Sequence, residues 1–171
     1  MKRARDTARC RIEGIVSERN CISRTFSMTI DIREFRSDDY EAARLLWERT
    51  DGIGLSDADS EQNIAQFLAR NPKLSFVALR QQNLIGTILC GHDGRRGYIY
   101  HLAVAATQRR RGLGVTLVQR CLAALRAEGI AKCHLMVFGA NLQGRGFWTR
   151  IGGAERVDLV TYSFATDMSR G

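Results

Sequence analysis

Residues His101–Gly114 read HLAVAATQRRRGLG. The apolar run His101-Leu-Ala-Val104 passes into a short loop that carries Arg109, Arg110, Arg111, Gly112 and Gly114. Beyond the loop, Leu117, Val118, Cys121, Leu122 and Leu125 fall at helical spacing, so an amphipathic helix is predicted over Gly112–Glu128, with Gly129 as its stop. The first amides of a helix have no internal partners and lie at the positive end of its dipole. Glycine places no Cβ between backbone and anion. A strand, a glycine-bearing basic loop and a helix start together predict a phosphate or pyrophosphate seat.

Two other phosphate-binding folds are excluded. A P-loop requires GxxxxGK followed by Ser or Thr, and the chain has no such string. A dinucleotide fingerprint requires a third glycine where this chain has Leu117. The runs before the loop also read as a meander. Leu74–Leu79, Leu84–Cys90 and Gly97–Val104 are apolar, and short polar turns at Gln81–Asn83 and His92–Arg96 join them, which predicts antiparallel hairpins.

Further upstream, Thr29–Phe35 alternates as a strand, with Ile30 and Ile32 on one face. Ser37-Asp-Asp-Tyr40 predicts the cap of a first helix carrying Ala42, Ala43, Leu45, Leu46 and Trp47. Asp51–Gly54 breaks it. Ser56–Asp59 predicts the cap of a second helix, which turns Ile64, Phe67 and Leu68 inward and ends at Asn71-Pro72. Downstream, Lys132–Val137 reads as a strand, Gln143–Arg150 as a short helix ended by Gly152-Gly153, and Arg156–Phe164 as a last strand. The order βααβββαβαβ predicts an α+β fold, layered αβα, with helices on both faces of a sheet.

In this setting Arg109-Arg-Arg-Gly112-Leu-Gly114 resembles the R/Q-x-x-G-x-G/A segment of the GNAT (Gcn5-related N-acetyltransferase) superfamily, and Leu102-Ala-Val104 lies at the usual distance upstream. Asn141, Phe147-Trp148 and Gly152 are similar to a second segment of that family. The resemblance covers residues 28–165. It implies a mixed, mostly antiparallel sheet of about six to seven strands in a single domain over residues 28–171. It implies acetyl-CoA as co-substrate and direct transfer of its acetyl group to a primary amine through a ternary complex. Main-chain groups of Leu102 and Val104 would pair with the pantetheine arm as an added strand. Amides of Arg109, Arg110, Arg111, Gly112, Leu113, Gly114 and Val115 would hold the pyrophosphate, with the Arg109 and Arg111 guanidinium groups adding charge. Asn141 and Trp148 would meet the cofactor arm. The Leu102 amide would polarise the thioester carbonyl.

One departure matters. The family often has Tyr, as proton donor to the leaving thiolate, where this chain has Trp148, and indole does not serve as an acid. Either another group donates or the thiolate leaves unassisted. Gly153 also stands where an aromatic is frequent. Next to the expected thioester position lies His101, whose residue type exchanges protons near neutrality, with Tyr100 and Tyr98 beside it as shapers of the pocket or relays through water. In a strand, each of these side chains more commonly packs. Asp51, Asp57, Asp59 and Glu61 sit where the family borders its acceptor; they would attract an ammonium, and helix capping explains part of the set equally well. His92 and Asp93 share a turn with no further ligands, so no metal site is expected.

The chain has 171 residues, 44% hydrophobic and 26% charged, which suits one soluble globular domain. Its apolar runs fall far short of the roughly 20 residues that span a bilayer, so no membrane partner is expected. The five cysteines are odd in number and none forms CxxC, which argues against a disulfide framework or a zinc site and for a reducing cytoplasm. Residues 1–27 hold seven basic and three acidic side chains, a charge of +4 out of the total +8. Rich in Arg and Ser and without an apolar signal core, they read as a disordered basic extension, with Met28 as an alternative start. Net positive charge favours polyanions. A nucleic-acid binder would need a basic face with stacking aromatics or a recognition helix; only a polar arm and one arginine loop are found, so no nucleic acid is expected. A catalytically weak acyl-CoA-binding regulatory module is a second alternative, suggested by Trp148; it would bind the cofactor yet release no thiol when an amine is present. The resemblance is also in keeping with a homodimer.

Overall fold

Alternating apolar residues become strands and the 3.6-residue stripes become helices across residues 29–166, the residues that the computed structural model describes. The extension over residues 1–27 and the alternative start at Met28 lie outside them. In chain order the elements are β1 (Asp31–Glu34), α1 (Tyr40–Glu48), α2 (Glu61–Arg70), β2 (Phe76–Arg80), β3 (Asn83–His92), β4 (Gly97–Val104), α3 (Leu113–Ala127), β5 (Cys133–Leu135) and α4 (Leu142–Arg150). The sheet runs β1-β2-β3-β4-β5, antiparallel except for the parallel pair β4 and β5.

Helices cover both faces, as the patterning predicts. On one face, Leu113, Leu117, Val118, Cys121 and Leu125 of α3 pack on Leu74, Ala78, Ile85, Ile88, Cys90 and Ile99. On the other, Ala43 and Trp47 of α1 and Ile64 of α2 pack on Phe35, Val77, Leu89 and Ala103. Burying one such aliphatic side chain stabilises the fold by roughly 1.5–3 kcal/mol, so these two layers hold the sheet between them.

Several expectations are corrected. Residues 156–164 form no strand, and the sheet has five strands among the described residues instead of six or seven. Val157, Leu159, Val160, Tyr162 and Phe164 of that segment are all exposed. Apolar alternation reports which side chains suit a pleated surface, but a strand also needs a partner edge, and β5 is only three residues long. Leu122, expected in the buried stripe, is 41% exposed, and Ile30 lies outside β1 at 39%. Ser56 does not cap α2. Its hydroxyl accepts from the Ala58 amide and caps a separate 3-10 turn, Asp57–Asp59, while α2 begins at Glu61.

Two features of β4 position the site. Its pairing with β5 ends at Ile99 opposite Leu135, so from Tyr100 to Val104 its outer edge has no strand beside it among the described residues. Its register against β3 also slips: Leu89 faces Tyr100 and Thr87 faces Ala103, which sets His101 and Leu102 together against Ile88. This is a β-bulge, and His101 adopts φ +46° there.

Candidate active site

The glycine loop closes β4 onto α3. Arg110 has φ +61° and Gly112 φ +83°, two left-handed residues that turn the chain sharply into the helix. A Cβ at Gly112 would meet nothing within 4 Å, so the glycine is required by backbone conformation and leaves the approach open. No side chain caps α3, which leaves its first-turn amides available to an outside acceptor. Arg109, Arg110 and Arg111 are exposed around this helix start. The Phe147 ring of α4 lies against the first turn of α3, at ordinary contact distance from where a Cβ on Gly114 would stand.

The edge of β4 leads directly to that loop. The Ala105 amide donates inward to the Ile85 carbonyl at 2.9 Å, whereas the Val104 carbonyl accepts from Nε of Arg109 at 3.0 Å. In an antiparallel pair, successive residues alternate between facing the partner and facing away. Val104 therefore presents its main chain off the sheet, toward the space that β5 leaves.

On the opposite face of the sheet stands His101. Its Nε2 lies 2.5 Å from Oδ1 of Asp59, and both side chains are largely buried. The other Asp59 oxygen, Oδ2, accepts from the Ser56 amide at 2.8 Å and the Ser56 hydroxyl at 3.3 Å. The Tyr40 hydroxyl donates to the Asp59 carbonyl at 2.9 Å. The imidazole lies against the Trp47 indole, with centroids 4.9 Å apart. Trp47 Nε1–H donates to Thr87 Oγ1 at 2.8 Å, and that hydroxyl donates to the His101 carbonyl at 3.2 Å. Ring and backbone of His101 are thus both held. Left-handed φ in a residue with a Cβ costs on the order of 1–2 kcal/mol, which this surrounding network offsets.

Tyr100 and Tyr98 form a half-open aromatic row beside His101. The two rings stack 6.4 Å apart, Phe67 of α2 meets Tyr100 edge-on at 5.9 Å, and His134 of β5 lies 5.9 Å from Tyr98. Burial first, and then the neighbouring Tyr98, hold the Tyr100 phenol above its ordinary value, so it stays protonated and acts only as a hydroxyl. Leu102 and Val104 lean on the α3 side of the sheet, as does Trp148, which packs edge-on to Phe147 at 5.1 Å. Oδ1 of Asn141 accepts from the Gly144 amide at 2.8 Å and caps α4, and the side chain crowds Gly52 of the α1–α2 loop. The acidic set divides: Asp51, Asp57 and Glu61 are exposed, and only Asp59 turns inward. Among the described residues no cluster of three or more His, Cys, Asp or Glu side chains could hold a metal ion.

The pairing of Asp59 with His101 escapes sequence reasoning, because the two are separated by 42 positions. The one local signal is the Ser56-x-x-Asp59 spacing, which marks a capping box and hence a carboxylate with a fixed direction.

Residues 31–153 match the acetyltransferase (GNAT) family. A curated relative, "Acetyltransferase ECA0875" of Pectobacterium atrosepticum, is 37% identical over 132 residues, 77% of this chain and 92% of that protein. Among solved structures, the PaiA N-acetyltransferase of Thermoplasma acidophilum in complex with coenzyme A is similar in fold, with TM-score 0.63 and 23% identity over 72% of this chain and 88% of that one. AAC(6')-Iy in complex with a CoA-based bisubstrate analog has TM-score 0.65 and 18% identity over 80% and 99% of the respective chains.

Proposed function

The chain belongs to the acetyltransferase (GNAT) family, and from that premise we propose that it takes the acetyl group of acetyl-CoA and passes it directly to a primary amine in a ternary complex. The observation that carries this reading is the continuity of the unpaired β4 edge, Tyr100–Val104, with the uncapped α3 start at left-handed Gly112. That path offers main-chain pairing to a pantetheine arm and free amides to a pyrophosphate.

In this reading acetyl-CoA, when bound, supplies a thioester whose carbonyl carbon accepts the amine and whose sulfur departs. The Arg109 amide donates to the Ala106 carbonyl at 3.4 Å and drops out of the expected set; the amides of Arg110 through Val115 hold the diphosphate, with the Arg109 and Arg111 side chains adding charge. Leu102 and Val104 align the arm, and the Leu102 amide polarises the carbonyl. Asn141 and Trp148 flank the arm. His101 accepts the proton that the amine must lose, and Tyr100 orders water or substrate through its hydroxyl. The Cys121 contact and burial push the Cys90 thiol up, and the Cys90 contact and burial push the Cys133 thiol up, so neither is an activated nucleophile. Free thiols in the core also favour a reducing compartment such as the cytoplasm. No helix among the described residues is long and apolar enough to cross a membrane.

The test is calorimetry with coenzyme A, followed by thiol release from acetyl-CoA against a panel of amines. Amino acids, polyamines, peptide N-termini, lysine peptides and aminoglycosides belong in the panel, the last because the similar AAC(6')-Iy was solved with an acetylneamine conjugate. Cofactor binding with amine-dependent thiol release is the expected result. Binding without release from any amine would point to the regulatory alternative.

A further inference from the structure

We propose that Asp59 is a positioning residue: it holds His101 in the Nε2–H tautomer, so that Nδ1 is the atom that takes the proton of the acceptor ammonium. This inference rests on the amine-acetylation reading above and adds a residue and an atom to it. Three features of the structure carry it.

The first is the short contact itself. Asp59 Oδ1 and His101 Nε2 lie 2.5 Å apart with both side chains mostly screened from water. An ionised carboxylate only accepts, so the proton between them belongs to Nε2 and the lone pair of the neutral ring to Nδ1. The second is accessibility. Every buried side-chain nitrogen or oxygen among the described residues has a hydrogen-bond partner. Among the described residues no partner meets His101 Nδ1, and the side chain is 14% exposed, which leaves that atom as the ring nitrogen for a substrate proton. The third is preorganisation. Asp59 cannot swing away, because Ser56 binds its second oxygen twice and Tyr40 holds its carbonyl. His101 cannot turn freely, because Trp47 lies against its ring and Thr87 grips its carbonyl in the bulge.

The proton balance is closed. One ammonium proton passes to Nδ1, and the freed nitrogen lone pair forms the C–N bond to the acetyl carbon. The C–S bond breaks with its electron pair on sulfur, and the second nitrogen proton leaves to that sulfur or to water. The imidazolium that forms sits against the Asp59 carboxylate, then returns its Nδ1 proton to solvent. Asp59 thus acts in two ways: it selects the tautomer beforehand and compensates the charge afterwards. Its place on the turn between α1 and α2 also ties that turn to the reacting strand.

The experiment needs wild type and Asp59→Asn, both as the full chain. In wild type, nitrogen-15 NMR of the imidazole should report Nε2–H with Nδ1 unprotonated; a ring carrying its neutral proton on Nδ1 overturns the proposal without any variant. Asp59→Asn should bind coenzyme A as wild type does, lose the single-tautomer signature, and lower kcat by about 100-fold with KM for acetyl-CoA unchanged. Asp59→Glu should recover part of that loss. A folded Asp59→Asn whose kcat stays within about threefold of wild type sinks the role of Asp59 alone. A wild type that binds coenzyme A and acetylates no amine sinks the acetylation reading, and the imidazole spectrum still decides the tautomer.

Discussion

Trp47 and Thr87 are joined by a buried hydrogen bond of 2.8 Å from indole Nε1–H to Oγ1, and the same hydroxyl reaches the His101 carbonyl at 3.2 Å. A contact between α1 and β3 therefore fixes the bulge in β4. Thr87→Val keeps the shape and removes both contacts, leaving a buried N–H with no acceptor. It should destabilise the protein by about 2 kcal/mol, read as a lowered midpoint in urea denaturation.

Gly112 separates conformational from steric demands. Its φ of +83° disfavours any side chain, although nothing lies within 4 Å of a Cβ there. Gly112→Ala should cost about 1 kcal/mol of stability and weaken coenzyme A binding modestly. Gly112→Glu should cost similar stability but abolish binding, since a carboxylate would stand in the anion's approach. Calorimetry compared with thermal denaturation separates the two effects.

Arg109 is bound to the main chain that the cofactor arm is expected to meet, through Nε to the Val104 carbonyl. Arg109→Ala should reduce coenzyme A affinity by about tenfold and flatten its dependence on ionic strength, because one exposed cation beside the proposed diphosphate seat is lost. Titrations at low and high salt test both parts.

Acid should weaken the connection between β1 and α1. Arg33 binds Asp39 through two 2.7 Å contacts, and the Arg36 amide donates to the same carboxylate at 2.9 Å. Burial pushes the Asp39 carboxyl upward, but the Arg33 guanidinium and the Arg36 amide outweigh it and hold the group below the ordinary carboxylate range. A group held lower in the folded state stabilises fully above its unfolded value, near 3.9, and that stability is lost as pH falls through the folded value. Asp39→Asn should cost about 1–2 kcal/mol at neutral pH and show a shallower fall below pH 4, followed by denaturation across a pH series.

The unaided sequence determined what depends on neighbours within one helical turn or one hairpin. The stripe Leu117, Val118, Cys121 and Leu125, the alternation of the meander and the glycine turn at Arg109–Gly114 all carry their physics locally, so α3, the order of strands β2 to β4 and the sharp entry into α3 were legible in it. Tertiary structure decided the rest. In a regular strand Tyr100 and His101 would point to opposite faces. The bulge instead sets both toward α1 and α2, where Tyr100 meets Phe67 and His101 meets Trp47. The partnership of His101 with Asp59, and the absence of any strand pairing for residues 156–164, likewise arise from segments distant in the chain. Such contacts exist only once the sheet and both helical layers have closed, because register and partner choice are set by the whole packing and not by any one segment's residues.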